Sequence, residues 1–277
     1  MKNHLKTLQL MIPILLLWSC HTRQSPPDLK LIPADETVER VKQGNFDYSY
    51  AVFKNQNGEK LSQENRNLLN QGKLAKDYYE DENGKIKEVR VRPLTLADQF
   101  IEIQRRELST NPLANIDLIA IDCNRLDSIY AEVERTDQEV RNEGGNGQAV
   151  DRINQQIVIS TLTTCGWSEA HLHTIWLVFQ HAPTNLMAYY YPTLKEYSLQ
   201  GKIERRTLAL MEDRLLMNHG YPQIYGSQIS NGYLYDLADP DNVNKRRAEI
   251  GLEPIEDYLS YWDLNFEKEK ERMNRIR

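Results

Sequence analysis

Basic residues are in deficit in this chain: 34 lysines and arginines face 40 aspartates and glutamates, a net charge of −6. With no basic stripe and no nucleic-acid motif, no nucleic-acid partner is expected. Long apolar runs are missing too. The only such run, Leu8–Trp18, falls short of the roughly 20 residues that span a bilayer. There are no internal repeats and no low-complexity segments. Nucleophile signatures are lacking, because Cys165 and Ser227 sit in no elbow and no triad order. Metal-ligand spacing is lacking as well. On a helix His171 and His173 would point about 200° apart, and His181 and His219 complete no ligand set with them. No metal and no cofactor is therefore expected.

What is present suffices for one sizeable core with a small extra module: 277 residues, 40% of them hydrophobic. The N-terminus has the form of a targeting segment. Lys2 and Lys6 precede the apolar run, which ends at Leu16-Leu17-Trp18-Ser19-Cys20. That ending resembles the lipobox of bacterial lipoproteins. The resemblance implies cleavage before Cys20, lipidation (palmitate) of that cysteine and attachment to a membrane. Residues 1–19 are then a signal peptide and residues 20–34 a tether. Cleavage removes two lysines and no acid, so the mature charge is 32 minus 40, or −8. No acidic run follows Cys20, which by the same resemblance favours an outer-membrane anchor facing the periplasm. Cys123 and Cys165 would then lie in an oxidising compartment. Each is 21 residues from Gly144. In an antiparallel helix pair turning there, both sit about 30 Å from the turn, which makes them candidates for a disulfide. Two buried free thiols are the alternative.

Residues 35–110 read as a small α+β region. Asp35 is placed to cap a helix over residues 36–43. Phe46, Tyr48, Tyr50 and Val52 alternate with polar residues, a strand pattern. Asn83-Gly84 separates two further strand-like runs, Leu74 to Tyr79 and Ile86 to Val91, a hairpin pattern. Leu96 to Leu108 is helical, and Asn111-Pro112 breaks it.

Residues 111–277 read as helical, so the fold class is mainly α: a multi-helix bundle core with a small N-terminal hairpin or sheet. A long helix is expected from Ile116. Its seam of Ile119, Cys123, Leu126, Tyr130, Val133, Asp137 and Val140 is spaced alternately four and three apart. Residues 144–147 form the turn, and Val150, Ile153, Ile157 and Thr161 mark the returning helix. The segment from Ser168 to Ala182 is apolar nearly all round, so it belongs at the centre. Helices over 204–218 and after Pro240 follow. A last helix carries Ile255, Tyr258, Leu259, Trp262 and Phe266 on one face and frays beyond them.

Polar residues interrupt this apolar pattern at a few places. Asp137 occupies a seam position, with Arg141 one turn on. Gln180 and His181 end the central helix. Asp213 and Arg214 have apolar neighbours three and four residues away on either side. Gln223, Tyr225 and Gln228 follow in a segment rich in turn residues. These nine side chains are the candidate ligand-binding set, and all but Arg141 are expected to converge on one site. His181 and Asp213 are its candidate catalytic members, since imidazole titrates near neutral pH.

Several pieces in order resemble an uncharacterised bacterial family, a domain of unknown function. They are Asp137-Gln138 with Arg141, Asp151 with Asn154, Gly166-Trp167, Trp176-Leu177 leading to Gln180-His181, Asp213-Arg214, Gln223-x-Tyr225-Gly226-Ser227-Gln228, and Arg246-Arg247 with Gly251-Leu252. The resemblance spans residues 137 to about 259 and implies a mostly helical fold with a shared polar cluster. It implies no reaction. Pro183 stands where that family often carries an acid.

The functional expectation is a cell-envelope lipoprotein that binds a small polar or anionic ligand, or a partner protein, around Gln180, His181, Asp213 and Arg214. A hydrolase-type enzyme with His181 as general base beside a carboxylate is the alternative. A purely structural buried network is the third possibility.

Overall fold

The computed structural model describes residues 29–142, 144 and 147–276. The expected signal peptide, Cys20 and most of the tether lie outside these residues, as do positions 145 and 146 of the turn. Among the described residues no helix is long and apolar enough to cross a membrane.

The N-terminal region is a four-stranded sheet in the order β1-β3-β4-β2. Its strands are β1 (Lys30–Leu31), β2 (Val52–Asn55), β3 (Leu74–Glu80) and β4 (Ile86–Pro93). β3 and β4 form the expected hairpin, with Asp77 opposite Arg90. Only Gly84 of the Asn-Gly pair takes positive φ, at 74°. Asp81 caps the turn by accepting the N–H groups of Asn83 and Lys85. Three helices accompany the sheet: α1 (Ala34–Lys42), α2 (Gln63–Asn70) and α3 (Leu96–Glu107).

Two expectations here need correction. Asp35 lies inside the first turn of α1, where Pro33 is the N-cap. Its negative charge suits that position, but it bonds no backbone N–H there. The alternation from Phe46 to Tyr50 is not a strand, because β2 begins at Val52. Phe46 and Tyr48 instead pack on Tyr78, with ring centroids 4.8 and 5.1 Å away. An aromatic cluster without ladder hydrogen bonds produced the period of two.

α3 is tied to the sheet by charge. Thr95 and Asp98 form a capping box, and Arg92 on β4 bridges Asp98 at 2.6 Å and Asp77 at 2.8 Å. Burial alone would raise the Asp98 pKa, but Arg92 and Thr95 hold it down to about 2.

The helical region begins later than its sequence pattern implies. Residues 116–121 are irregular, not helical. Their backbone is met by side chains of α5 (Gln148–Cys165) instead. Ser160 Oγ accepts the Ile119 N–H at 3.0 Å, and Gln156 donates to the Asp117 carbonyl at 2.7 Å. Asp122 then caps a single 3-10 turn before α4 (Leu126–Asn142). Cys123 and Cys165 are joined by a disulfide across the pair, Cα atoms 5.7 Å apart.

α6 (Leu172–Gln180) is the central element: of its nine residues all but His173 are buried. α7 (Thr184–Leu199) and α8 (Arg205–Asn218) pack around it. The short antiparallel strands β5 (Ile229–Ser230) and β6 (Tyr233–Leu234) follow. Asn231 and Gly232 between them take φ of 53° and 79°, both positive as a type I′ turn needs.

A second apolar cluster gathers Leu234, Leu237, Val243, Ile255, Leu259, Phe266 and Met273. It joins this hairpin to α9 (Val243–Glu249), α10 (Ile255–Ser260) and α11 (Phe266–Ile276). The expected single last helix is thus two helices. Asp263, at φ 55°, turns the chain between them and leaves Trp262 54% exposed. The charged end does not fray. Its Glu269 accepts the Leu234 N–H at 3.2 Å, and Met273 is fully buried.

Candidate functional site

Asp137 occupies the inward face of α4 below Tyr130 and Val133, and is 1% exposed. A carboxylate there must be paired. His181, which ends α6, meets it with Nδ1 3.1 Å from Oδ1. Arg141, one turn further along α4, donates from Nε to His181 Nε2 at 3.2 Å. That donation needs a lone pair on Nε2, so the network assigns a neutral imidazole with its proton on Nδ1. Arg141 also bridges Asp151 on α5 at 2.8 Å and Asp137 at 3.4 Å. Burial opposes ionisation of Asp137, but His181 and Arg141 outweigh it and hold its pKa below the ordinary value. Oxygen and nitrogen atoms of Asp137, Asp151 and His181 lie within 4.8 Å of one another, as metal ligands would. Here the Arg141 guanidinium donates to Asp151 and His181 and pairs with the Asp137 carboxylate at 3.4 Å.

Arg214 on α8 approaches from the other side. Its Nη1 donates to the Gln180 carbonyl at 2.8 Å and its Nε to Gln228 Oε1 at 3.1 Å. Among the described residues no carboxylate lies within 4.0 Å of it, unlike Arg141. Burial and the nearby positive charge of Arg141 lower its pKa. Gln180 is 6% exposed, and its Oε1 is buried without a hydrogen-bond partner. A mostly buried cation without a carboxylate partner therefore stands beside Gln180, whose amide oxygen is unpartnered.

Asp213 has a different task. It is fully buried and accepts the backbone N–H groups of Ile224 at 2.7 Å, Tyr225 at 3.0 Å and Ser227 at 2.9 Å. Burial raises its pKa, against the pull of these three donors. Gln223 likewise spends its side chain on backbone. Its Oε1 accepts Gln228 N–H, and its Nε2 donates to the Gln228 and Tyr235 carbonyls. Gly226 takes φ 73°, and a Cβ there would stand 2.7 Å from Ile255 Cδ1. The segment from Gln223 to Gln228 is thus folded onto Asp213 as a fixed loop.

The nine predicted residues therefore form two adjoining clusters, which Gln228 links. Asp137, Arg141, Gln180, His181 and Arg214 make the polar site. Asp213 and Gln223 shape the loop that delivers Gln228 to Arg214. The expected convergence of the eight residues other than Arg141 on one site needs correction: Asp213 and Gln223 bond the loop backbone, and Tyr225 lines a small cavity of about 90 Å³ with Glu212 and Arg205. Glu212 and Arg214 are two residues apart on α8 and so point about 200° apart, on different faces of the helix.

Sequence reasoning missed two residues that hold this region together. Arg247, 1% exposed, donates to the Tyr225 carbonyl at 2.8 Å and the Glu253 carbonyl at 2.6 Å. Glu212 accepts the Tyr191 hydroxyl at 2.7 Å, and burial raises its pKa. The Arg246-Arg247 pair was the available signal for the first; an acid beside Asp213 in an apolar helix was the signal for the second.

Five surface cavities among the described residues are lined by residues other than His181 and Arg214. Of Asp137, Arg141, Asp151 and His181, Arg141 has the most exposed side chain, at 28%.

No curated protein and no solved structure matches this chain. A family model described as a family of unknown function, DUF6624, matches residues 120–267, more than half the chain. The match takes in α4 through α10, every residue of both clusters and both cysteines of the disulfide. The chain belongs to the DUF6624 family.

Proposed function

We propose that this protein is a cell-envelope lipoprotein, anchored through lipid on Cys20, that binds a small anionic ligand between Arg214, Gln180 and His181. The carrying observation is the mostly buried Arg214 guanidinium, with no carboxylate within 4.0 Å among the described residues. An uncompensated buried charge costs several kcal/mol, and a network kept only for structure would supply its counter-charge. A ligand carboxylate or phosphate would supply it here, and Gln180 Oε1, an acceptor, would take a hydrogen bond from a hydroxyl group of the ligand. Binding requires side-chain movement near Arg141.

The hydrolytic reading draws on the Asp137–His181 contact at 3.1 Å, which has the form of a base held by an orienting carboxylate. Against it, the Nε2 lone pair that would take a proton accepts Arg141 instead. Binding is therefore the better-supported function.

The test is thermal unfolding of the full chain in detergent, with inorganic phosphate, acetate or citrate at constant ionic strength. A ligand at one hundred times its Kd stabilises by about 2.7 kcal/mol. At least one anion should raise Tm, and Arg214→Gln should abolish that rise. No rise with any anion, or the same rise in the variant, would refute the reading. Cys20→Ser should release the chain from the membrane fraction.

A further inference from the structure

A second site lies along α5, one turn beyond Asp151. A cavity of about 440 Å³ opens between α5, the segment after Pro112 and the junction of α6 with α7. Its volume falls within the range of about 300–1,000 Å³ of small-molecule sites.

Gln155 points to its use. This residue lines the cavity and is only 5% exposed, yet its side-chain amide bonds no described residue. Its neighbour Asn154 shows the usual pattern: it accepts from Thr136 and donates to the Val133 carbonyl. The Gln155 amide atoms are not sealed from solvent, so they are met from the cavity and not by the protein. Gln155 therefore presents both a donor and an acceptor to the cavity.

Two further amides there are half used. Gln156 donates to the Asp117 carbonyl, which leaves its Oε1 as an acceptor. Asn185 accepts the Leu186 N–H, which leaves its Nδ2 as a donor. The charged residues of the lining are Asp117 and Arg152, one of each sign. They cancel, so the cavity selects no ion. Ile116, Ile153 and Leu186 supply apolar surface between the amides.

We propose that this cavity binds a neutral saccharide of one or two rings. Hydroxyl groups both donate and accept, so a ring of them satisfies donors and acceptors interleaved in this way. The C–H face of the same ring covers the isoleucines and leucine. The site is separate from the Arg214 cluster, and its ligand is of a different class.

The test is NMR titration of the ¹⁵N-labelled full chain in detergent with glucose, N-acetylglucosamine and cellobiose, followed at the side-chain amides. At least one sugar should shift the Gln155 and Asn185 amides saturably. Gln155→Leu removes the cavity-facing amide at similar volume, so it should fold and should weaken binding by about tenfold or more. Asn185→Asp keeps the acceptor for Leu186 and removes only the free donor, and it should weaken binding too. The proposal is overturned if no sugar saturates these shifts, if Gln155→Leu binds as well as the parent, or if a blocked dipeptide saturates the site and the sugars do not.

Discussion

Replacing Asp213 by asparagine changes one oxygen into an amide group and leaves the shape of the side chain intact. In the parent, the carboxylate receives three backbone N–H groups, from Ile224, Tyr225 and Ser227. Asparagine retains one acceptor oxygen and turns an NH2 toward the remaining donors. Hydrogen bonds to a charged group contribute about 1.5–3 kcal/mol each, and a buried donor left unmet costs about 1–3 kcal/mol. Relief of burying the charge offsets part of this loss. The expected net destabilisation is about 3–5 kcal/mol, the scale for breaking a buried charged network. Urea unfolding of parent and variant measures it. Hydrogen exchange locates it: the amides of Ile224, Tyr225 and Ser227 should lose protection before those of α6. A loss under about 1 kcal/mol with unchanged protection at those three amides would refute the assignment of Asp213 as the loop's fastening.

Gly226→Ala should destabilise by about 1–3 kcal/mol, because its Cβ would stand 2.7 Å from Ile255 Cδ1 at a φ of 73°; unchanged urea unfolding would contradict the close approach. Asp98 has a folded pKa of about 2, below the unfolded value of about 3.9. Its stabilisation is thus present above pH 3.9 or so and is lost as pH falls toward about 2; Arg92→Met should flatten the acid limb of the stability curve in that window. Reduction of the Cys123–Cys165 disulfide, which closes a loop of 42 residues, should lower stability by up to about 4 kcal/mol on chain-entropy grounds, and identical urea midpoints with and without reductant would contradict this.

The helices were legible wherever an apolar stripe of helical period was the main force. α6 is apolar nearly all round in sequence and is the most buried helix in the structure. The pattern misled where side chains from another element took over the backbone. Ile119 and Cys123 continue the seam of α4, yet Ser160 and Gln156 on α5 hold residues 117 and 119 out of a helix. Those partners lie about forty residues away, beyond the reach of any local pattern. The candidate site was legible in membership more than in role. Asp137, Gln180, His181 and Arg214 stood out as polar residues where apolar ones were due, and they lie together. Asp213 stood out for the same reason but serves backbone amides that begin 11 residues on. Backbone partners leave no mark on residue identity. Arg247 was overlooked as a ligand of carbonyls because a charged residue near a helix end ordinarily faces water.

The two arginines of the polar site separate its functional reading from its structural one. Arg141 carries the usual marks of a structural cation: two carboxylates and a histidine nitrogen accept from it or lie beside it. Those two carboxylates could have been divided, one to each arginine. Instead both stand at Arg141, and Arg214 is left with the carbonyl of Gln180 and the amide oxygen of Gln228. Neutral acceptors satisfy its hydrogen bonds but not its charge. Repulsion from Arg141 makes the position costlier still, and lowers the Arg214 pKa together with burial. Exchanging Arg214 for an apolar residue would remove that cost, so stability alone gives no reason to keep a guanidinium there. The proposed anionic ligand would give one, because an uncompensated charge that costs stability would also attract and orient an anion.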